Sequence, residues 1–510
     1  MSALFLIAST EQSGAFALLG PIRPWMQTTN GVFFVGDIGG PMCISNGYRW
    51  NVPVVTYGFD QSFTNYFGTN GVAAVEGAIQ ILNDLPPASQ IALTNYPFIS
   101  QSANYEAQSL SLYDLKSEAL SLLLEHMGLA SPTRYVYVLK QWDSSLLPPN
   151  SNELSTPLNW PDGTIPEFVL QRNYDPQTLN VSPYVNETLY SAYIVIQPNQ
   201  YDMISFAVDP LAPTYTAVAD FPQSLVNNDS TGSGMFYKGL TYDDVGGLAY
   251  LLSTNNVNYE TLLPSVVGVG TNANSFMNGA WRPGVDKITF VTQPVDSLTG
   301  EFLPMTNQFT DTYITNGSVM QQQMARVISQ PDFLFSVADT GKGDISTPYF
   351  VRTGTTNWIN NAALNGNSIG AGPGVIQPPV KIIFNKMGPL FSNSGSYSDE
   401  IAFIAYGEPQ FWGSFDASTN APVIYPVPSQ TGTNQLAIRM WLMMGTYPNW
   451  STTSFEWKTA SLAGAQSLFQ TSTNLTDWVT LFTNSNNGSV ATYFLNNPKS
   501  SSRFYRLIPQ

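Results

Sequence analysis

Across residues 256–445, apolar side chains fall in short alternating runs separated by clusters of Gly, Pro, Asn and Ser; Lys287–Val291, Val380–Asn385 and Glu400–Ala405 are examples. A helix would scatter such a pattern around its cylinder. A strand puts every second residue on one buried face, and the turn residues set its ends. That stretch is therefore expected to be all-β. The pattern returns in residues 446–510, where Ser467–Ser472, Trp478–Phe482, Val490–Leu495 and Arg503–Ile508 alternate as strands.

Upstream the pattern is mixed. Residues 1–45 are rich in Gly and aromatics and read as an extended N-terminal segment that could add to a neighbour's sheet edge. Tyr48–Phe59 is β-branched and aromatic, with Pro53 marking an edge or strand start. Val72, Val75, Ile79 and Leu82 then recur at helical spacing, between Thr69-Asn70-Gly71 and Pro86-Pro87, and predict a helix over 72–85. A second helix is expected over about 111–128, with Leu112, Leu115, Ala119, Leu122 and Leu123 on one face and Gly128 as its stop. Residues 131–233 are loop-rich, with strands expected at Arg134–Leu139 and Tyr190–Ile196. Thr241-Tyr242-Asp243-Asp244 reads as a capping box opening a third helix through Val245, Leu248, Leu251 and Leu252.

The resulting organisation is an extended segment (1–45), an α+β domain (46–255), one or two β-rich domains (256–445) and a C-terminal β-sandwich module (446–510). In fold class this is an α+β N-terminal domain followed by all-β sandwich-type domains. No internal repeat of 20–50 residues is visible.

Composition narrows the function. Charged residues make up 11% of the 510 positions, against roughly 25% in an average globular protein. Aromatics reach 13%, too many for a disordered chain. With 19 basic and 35 acidic residues the net charge is −16, which opposes binding to nucleic acid. No apolar run approaches the ~18 residues of a transmembrane segment. The single cysteine, Cys43, excludes an internal disulfide. Met1–Ser9 has a short apolar core with no Lys or Arg before it, short of a standard signal peptide. Few Lys and Cys with many Asn, Thr and Tyr nevertheless resemble the composition of secreted bacterial proteins. Asn-x-Ser/Thr sites at Asn180, Asn186, Asn228, Asn316, Asn449, Asn474 and Asn487 would suit such a protein.

The only histidine, His126, excludes a zinc site made of imidazoles, and no Ser-His-Asp triad can be built without it. Its surroundings carry a resemblance. The strand Arg49–Phe59, the helix Val72–Leu85, the helix Ser111–Gly128 and a Met-turn-like Gly234-Met235-Phe236-Tyr237 before the Asp-capped third helix resemble, in that order, a matrixin-type metzincin metalloprotease domain. The resemblance covers about residues 46–255. The family motif H-E-x-x-H-x-x-G-x-x-H, anchored on Gly128, implies ligand positions at Ser121, Glu125 and Ser131 and a general base at Leu122. None of these can do that work, and His126 lies one position off, about 100° around the helix. The resemblance thus implies a protease fold without protease chemistry, with Met235 as core packing. The segment Phe469–Trp478, closed by Arg503-Phe504-Tyr505-Arg506-Leu507, resembles a small β-sandwich module found at the C-termini of secreted and surface proteins of environmental bacteria. Its context implies export and surface display.

Asp339 and Asp344, in Asp339-Thr340-Gly341-Lys342-Gly343-Asp344, are the only calcium candidates, although Lys342 opposes a cation. No cofactor is implied. The reading that joins these features is a secreted, non-enzymatic structural protein whose partner is itself, as the subunit of a bacterial extracellular filament, sheath or surface layer. A monomeric adhesin that binds surface glycans through Trp and Tyr is the alternative. A carboxylate-dependent hydrolase, which needs no histidine, is the third.

Overall fold

The computed structural model describes residues 14–26, 32, 37–110, 112–140, 169–197, 200–212, 217–220, 233–338, 372–385 and 411–425, and strand segments at 155–157, 353–360, 439–442, 454–460, 466–472, 477–485, 491–496 and 504–509. Among these residues the protein is β-rich, with five α-helices: α1 (Gln61–Asn83), α2 (Tyr105–Ser109), α3 (Leu115–His126), α4 (Pro132–Tyr135) and α5 (Tyr242–Leu252).

The centre is a mixed, mostly parallel sheet in the order Thr289–Thr292, Val54–Phe59, Phe333–Ala338, Gly374–Asn385, Thr353–Asn360. The first four strands run parallel, and the last is antiparallel to Gly374–Asn385. Tyr48–Arg49 adds a short parallel pairing to the start of Gly374–Asn385. Sheets of this kind are covered on both faces, so their strands read as continuous apolar runs such as Phe333-Leu334-Phe335 and Ile382-Ile383-Phe384. The helix α1 lies on this sheet. Asp60 caps it by accepting from the Phe63 N–H (3.0 Å). Its first turns pack Phe63 and Phe67 against Phe335, Phe384 and Trp412.

Three expectations move. The first long helix starts at Gln61, well before Val72, and breaks at Gly68, where φ is 61°. Phe63 and Phe67 continue the apolar stripe upstream of that break. The second helix starts at Leu115, because Leu112–Asp114 is a strand paired in parallel with Phe411–Ser414. The strand expected over Arg134–Leu139 is split. Pro132–Tyr135 is the turn α4, and only Val138–Leu139 is strand, paired with Val169–Leu170.

The expected break between residues 255 and 256 does not coincide with a structural boundary. The mixed sheet takes Tyr48–Arg49 and Val54–Phe59 from one side of it and four strands from the other, and one hydrophobic core runs from Phe16 to Tyr425. Among the described residues of 1–45, no strand is left free either. Phe16–Gly20 is buried along its whole length and pairs with Gly40–Met42, Leu129–Ala130 and Asn173–Tyr174. At the C-terminus, the four expected strands are present in two three-stranded antiparallel sheets. Arg439–Leu442 belongs to the first of them, so that β unit reaches upstream of residue 446.

A second sheet, antiparallel and five-stranded, has the order Asn258–Thr261, Gly279–Arg282, Met305–Thr315, Ser318–Ile328, Val266–Gly268. Its two 11-residue strands form a hairpin closed by Asn316 and Gly317, both at positive φ (50° and 73°), the turn whose twist matches the strands it joins. The inner face of this sheet carries charge. Arg282 forms a two-pronged pair with Asp311 (2.9 and 3.0 Å) and donates to the carbonyls of Glu260, Asn278 and Met277. Arg49 pairs with Glu260 (2.7 Å) and donates to the carbonyls of Leu251, Asn256 and Arg282. Arg326 pairs with Asp332, whose carboxylate also accepts from the Thr56 N–H (2.8 Å). All six side chains are buried.

Removing one partner of such a pair strands the other charge in the interior, at a cost of about 3–5 kcal/mol. Asp311→Ala is expected to lower stability by that amount, and the double variant Arg282→Met/Asp311→Leu by less. Urea midpoints of the three proteins check this. A double variant as unstable as the single would show that the pair itself, rather than the stranded charge, sets the loss.

Candidate functional site

The helix that would carry a metzincin zinc site lies in the core. Asp114 caps α3, accepting from the N–H and the hydroxyl of Ser117 (2.9 and 2.6 Å). The Ser117 oxygen in turn accepts from the Tyr237 N–H (2.8 Å), which ties Met235–Tyr237 to the helix. Ser121, Leu122 and His126 are buried, and Glu125 is half-buried. The Nδ1–H of His126 donates to the Leu122 carbonyl (2.7 Å), its own carbonyl accepts from Trp50 Nε1 (2.8 Å), and its ring meets Phe333 edge-on. Ser131 caps α4 by accepting from the Arg134 N–H (3.4 Å). Gly128 ends the helix at φ 108°, where a Cβ would lie 2.2 Å from the Tyr48 carbonyl oxygen. Met235 belongs to a short strand paired with Gln101–Ala103 and packs against the core.

Ser121, Leu122, His126 and Ser131 are thus all buried in the folded chain. Among the described residues no group of three His, Cys, Asp or Glu side chains is placed to hold a metal ion. The described fold does not by itself identify a metzincin-like domain, because four strands of the mixed sheet beside α1 come from residues beyond 255. Asp339 and Asp344 lie outside the described residues.

The acidic pair at the start of α5 has the structural role its position suggested. Asp244 closes the capping box, accepting from the N–H and hydroxyl of Thr241, and also accepts from the N–H groups of Val218 and Ala219 (2.9 and 3.0 Å). Asp243 accepts from the Asn186 N–H (2.6 Å). Asn186 is itself buried and donates to Thr241 Oγ1, so that glycosylation sequon is occupied by the fold. Asn316 is exposed at the hairpin tip.

One surface has the character of a binding face, and the sequence reading did not single it out. On the outer side of the five-stranded sheet, Thr306, Gln308, Thr310, Thr312 and Ile314 project from one long strand. Val319, Gln321, Gln323, the buried Ala325 and Val327 project from the other. Trp281, paired with Ile314 and stacked edge-on to Tyr259 (5.8 Å), extends the face on one side, and Val267 extends it on the other. None of these outward positions is charged. Val319 is 68% exposed, Val327 51%, Trp281 50% and Val267 47%. Gln323 donates across the hairpin to Thr310 Oγ1 (3.0 Å). The signal for it is the Thr/Gln/Val alternation on either side of Asn316-Gly317.

No protein-family model matches the sequence, no curated protein matches it, and no solved structure matches the fold.

Burial pushes the Asp244 carboxyl up from its ordinary 3.8, against the hydrogen bonds from Thr241, Val218 and Ala219. Asp114 is pushed up for the same reason, with Ser117 and Lys116 opposing. The folded chain then keeps these protons to higher pH than the unfolded chain. Their contribution to stability falls as pH rises from 3.8 through the folded value, and is constant above it. Asp244→Asn removes one such group, so its stability is expected to rise relative to the parent as pH rises through that window. Urea midpoints over a pH series measure the difference; a variant whose offset from the parent is the same at every pH would contradict the assignment.

Proposed function

We propose that the chain is a secreted, non-enzymatic structural protein that assembles with copies of itself into a bacterial extracellular filament, sheath or surface layer. The observation that carries this reading is the uncharged outer face of the five-stranded sheet, with Val319, Val327, Trp281 and Val267 open to solvent. Depletion of charge marks the centres of protein interfaces. The low charge content of the whole chain fits broad subunit contacts. The burial of Ser121, Leu122 and His126 supports a packing role for α3 over a catalytic one.

A second reading, a glycan-binding adhesin, is favoured by the Trp281–Tyr259 pair beside a band of Thr and Gln side chains. An aromatic face with hydroxyl and amide neighbours offers sugars both stacking and hydrogen bonds.

Sedimentation and electron microscopy of the purified full chain test the leading reading. Association that grows with concentration, and ordered assemblies at its upper end, are expected. Because each copy carries a net charge of −16, added salt is expected to strengthen association by screening that repulsion. Uniform monomers at every concentration and ionic strength would refute it.

A further inference from the structure

We infer that the outer face of the five-stranded sheet docks onto the same face of a second copy of this chain, with a two-fold axis crossing the hairpin at the Thr310–Gln323 pair. The inference rests on the self-assembly reading and names its contact.

Three observations select a second copy as the occupant. First, two molecules of charge −16 repel wherever carboxylates face each other, and on this face every outward strand position is neutral. A basic partner would find no charge to pair with, whereas an identical copy meets no opposing charge. Second, the face is self-complementary in its layout. Gln308, Thr310, Thr312, Gln321 and Gln323 form a polar middle together with the small Ala325, with Val319 at one end of the same strand and Val327 at the other. Val319 and Val327 lie equally far in register from Gln323. A two-fold axis in the plane of the interface, perpendicular to the strands at that residue, sets Val319 of one copy against Val327 of the other, Gln321 against Ala325, Thr312 against Gln308, and Gln323 and Thr310 each against its own copy. Third, the size fits. A strand rise of about 3.4 Å and a strand spacing of about 4.8 Å make the face about 35 Å long at the hairpin and about 24 Å wide. With the outer strands shorter, this gives roughly 600 Å² per copy, near the ~800 Å² that each partner contributes to a stable complex. Face-to-face packing of twisted sheets with their strands within about 30° of each other is an ordinary arrangement.

The geometry supplies a charge-exchange test. In the full-length chain, V319E places a carboxylate against the apolar Val327 of the neighbour, twice per dimer. Its dissociation constant, measured by sedimentation equilibrium, is expected to rise about a hundredfold or more. V327K alone is expected to weaken association as well. The double variant V319E/V327K places opposite charges in contact at both ends and is expected to recover most of the lost affinity. Both positions of substitution are solvent-exposed, and unchanged circular dichroism confirms that the variants are folded.

The failures are distinguishable. A wild-type chain that associates while V319E, V327K and the double variant associate equally well leaves the assembly reading standing and overturns this interface. Losses in both single variants without recovery in the double overturn the two-fold arrangement. A wild-type chain that remains monomeric overturns both the assembly reading and this interface. If that monomer is retained on insoluble polysaccharide and loses retention in W281A, the face belongs to a glycan instead.

Discussion

The contact between Arg282 and Asp311 fixes Gly279–Arg282 against the long hairpin of the five-stranded sheet, and further buried arginines tie that sheet to its surroundings. Asp311 sits on the long hairpin, and Arg282 reaches from the adjacent strand to the carbonyls of Glu260, Asn278 and Met277. Glu260 in turn holds Arg49, which reaches the end of α5 at Leu251 and the Arg282 carbonyl. Arg326 and Asp332 repeat the device against Val54 and Thr56 of the parallel sheet. In a chain with 19 basic residues, three arginines are thus committed to the interior. Buried pairs of this kind contribute little net stability over apolar residues, but each has few arrangements that satisfy all of its donors. What they supply here is a fixed seat for the hairpin.

That seat explains an inversion of polarity. An antiparallel sheet with one solvated face ordinarily turns its apolar side inward and its charges outward. Here Glu260, Arg282, Asp311 and Arg326 point inward, and the outward positions are Thr, Gln, Val, Ile, Trp and Tyr. Gln322 shares the inner side, donating to Asp311 (2.7 Å) and to the Met277 carbonyl. Because strand side chains alternate strictly, a one-residue slip would exchange the two faces. The ion pairs forbid that slip, so they also guarantee that the outer face stays uncharged.

Much of this was legible in the sequence, and the exceptions have physical causes. The helix α5 was announced by its own cap, since Thr241 and Asp244 are three residues apart and satisfy each other locally. The four C-terminal strands were visible as alternation. The start of α1 was not, because Gly68 interrupts the periodicity and hides Phe63 and Phe67 from the stripe that follows. The domain division at 255 failed for a different reason. Alternation reports which residues are strands and is silent on which strands pair. Val54–Phe59 finds its neighbours more than 200 residues away, at Thr289–Thr292 and Phe333–Ala338. The site followed the same division. The fate of Ser121 and Leu122 could be argued from residue type, whereas the outer face depends on which strands lie side by side.

The acidity of the chain then takes on a second meaning. A net charge of −16 keeps copies apart in most orientations, an arrangement that favours solubility and disfavours random aggregation. A neutral sheet face is the exception, and its position is fixed from inside by arginines that cannot lose their charge. In the proposed assembly, repulsion between charged surfaces would make a neutral face directional, because charged alternatives are penalised more than the favoured contact is rewarded. On this argument the buried ion pairs and the surface charge act together. The first hold the face in register, and the second leaves few other surfaces at which two copies can meet.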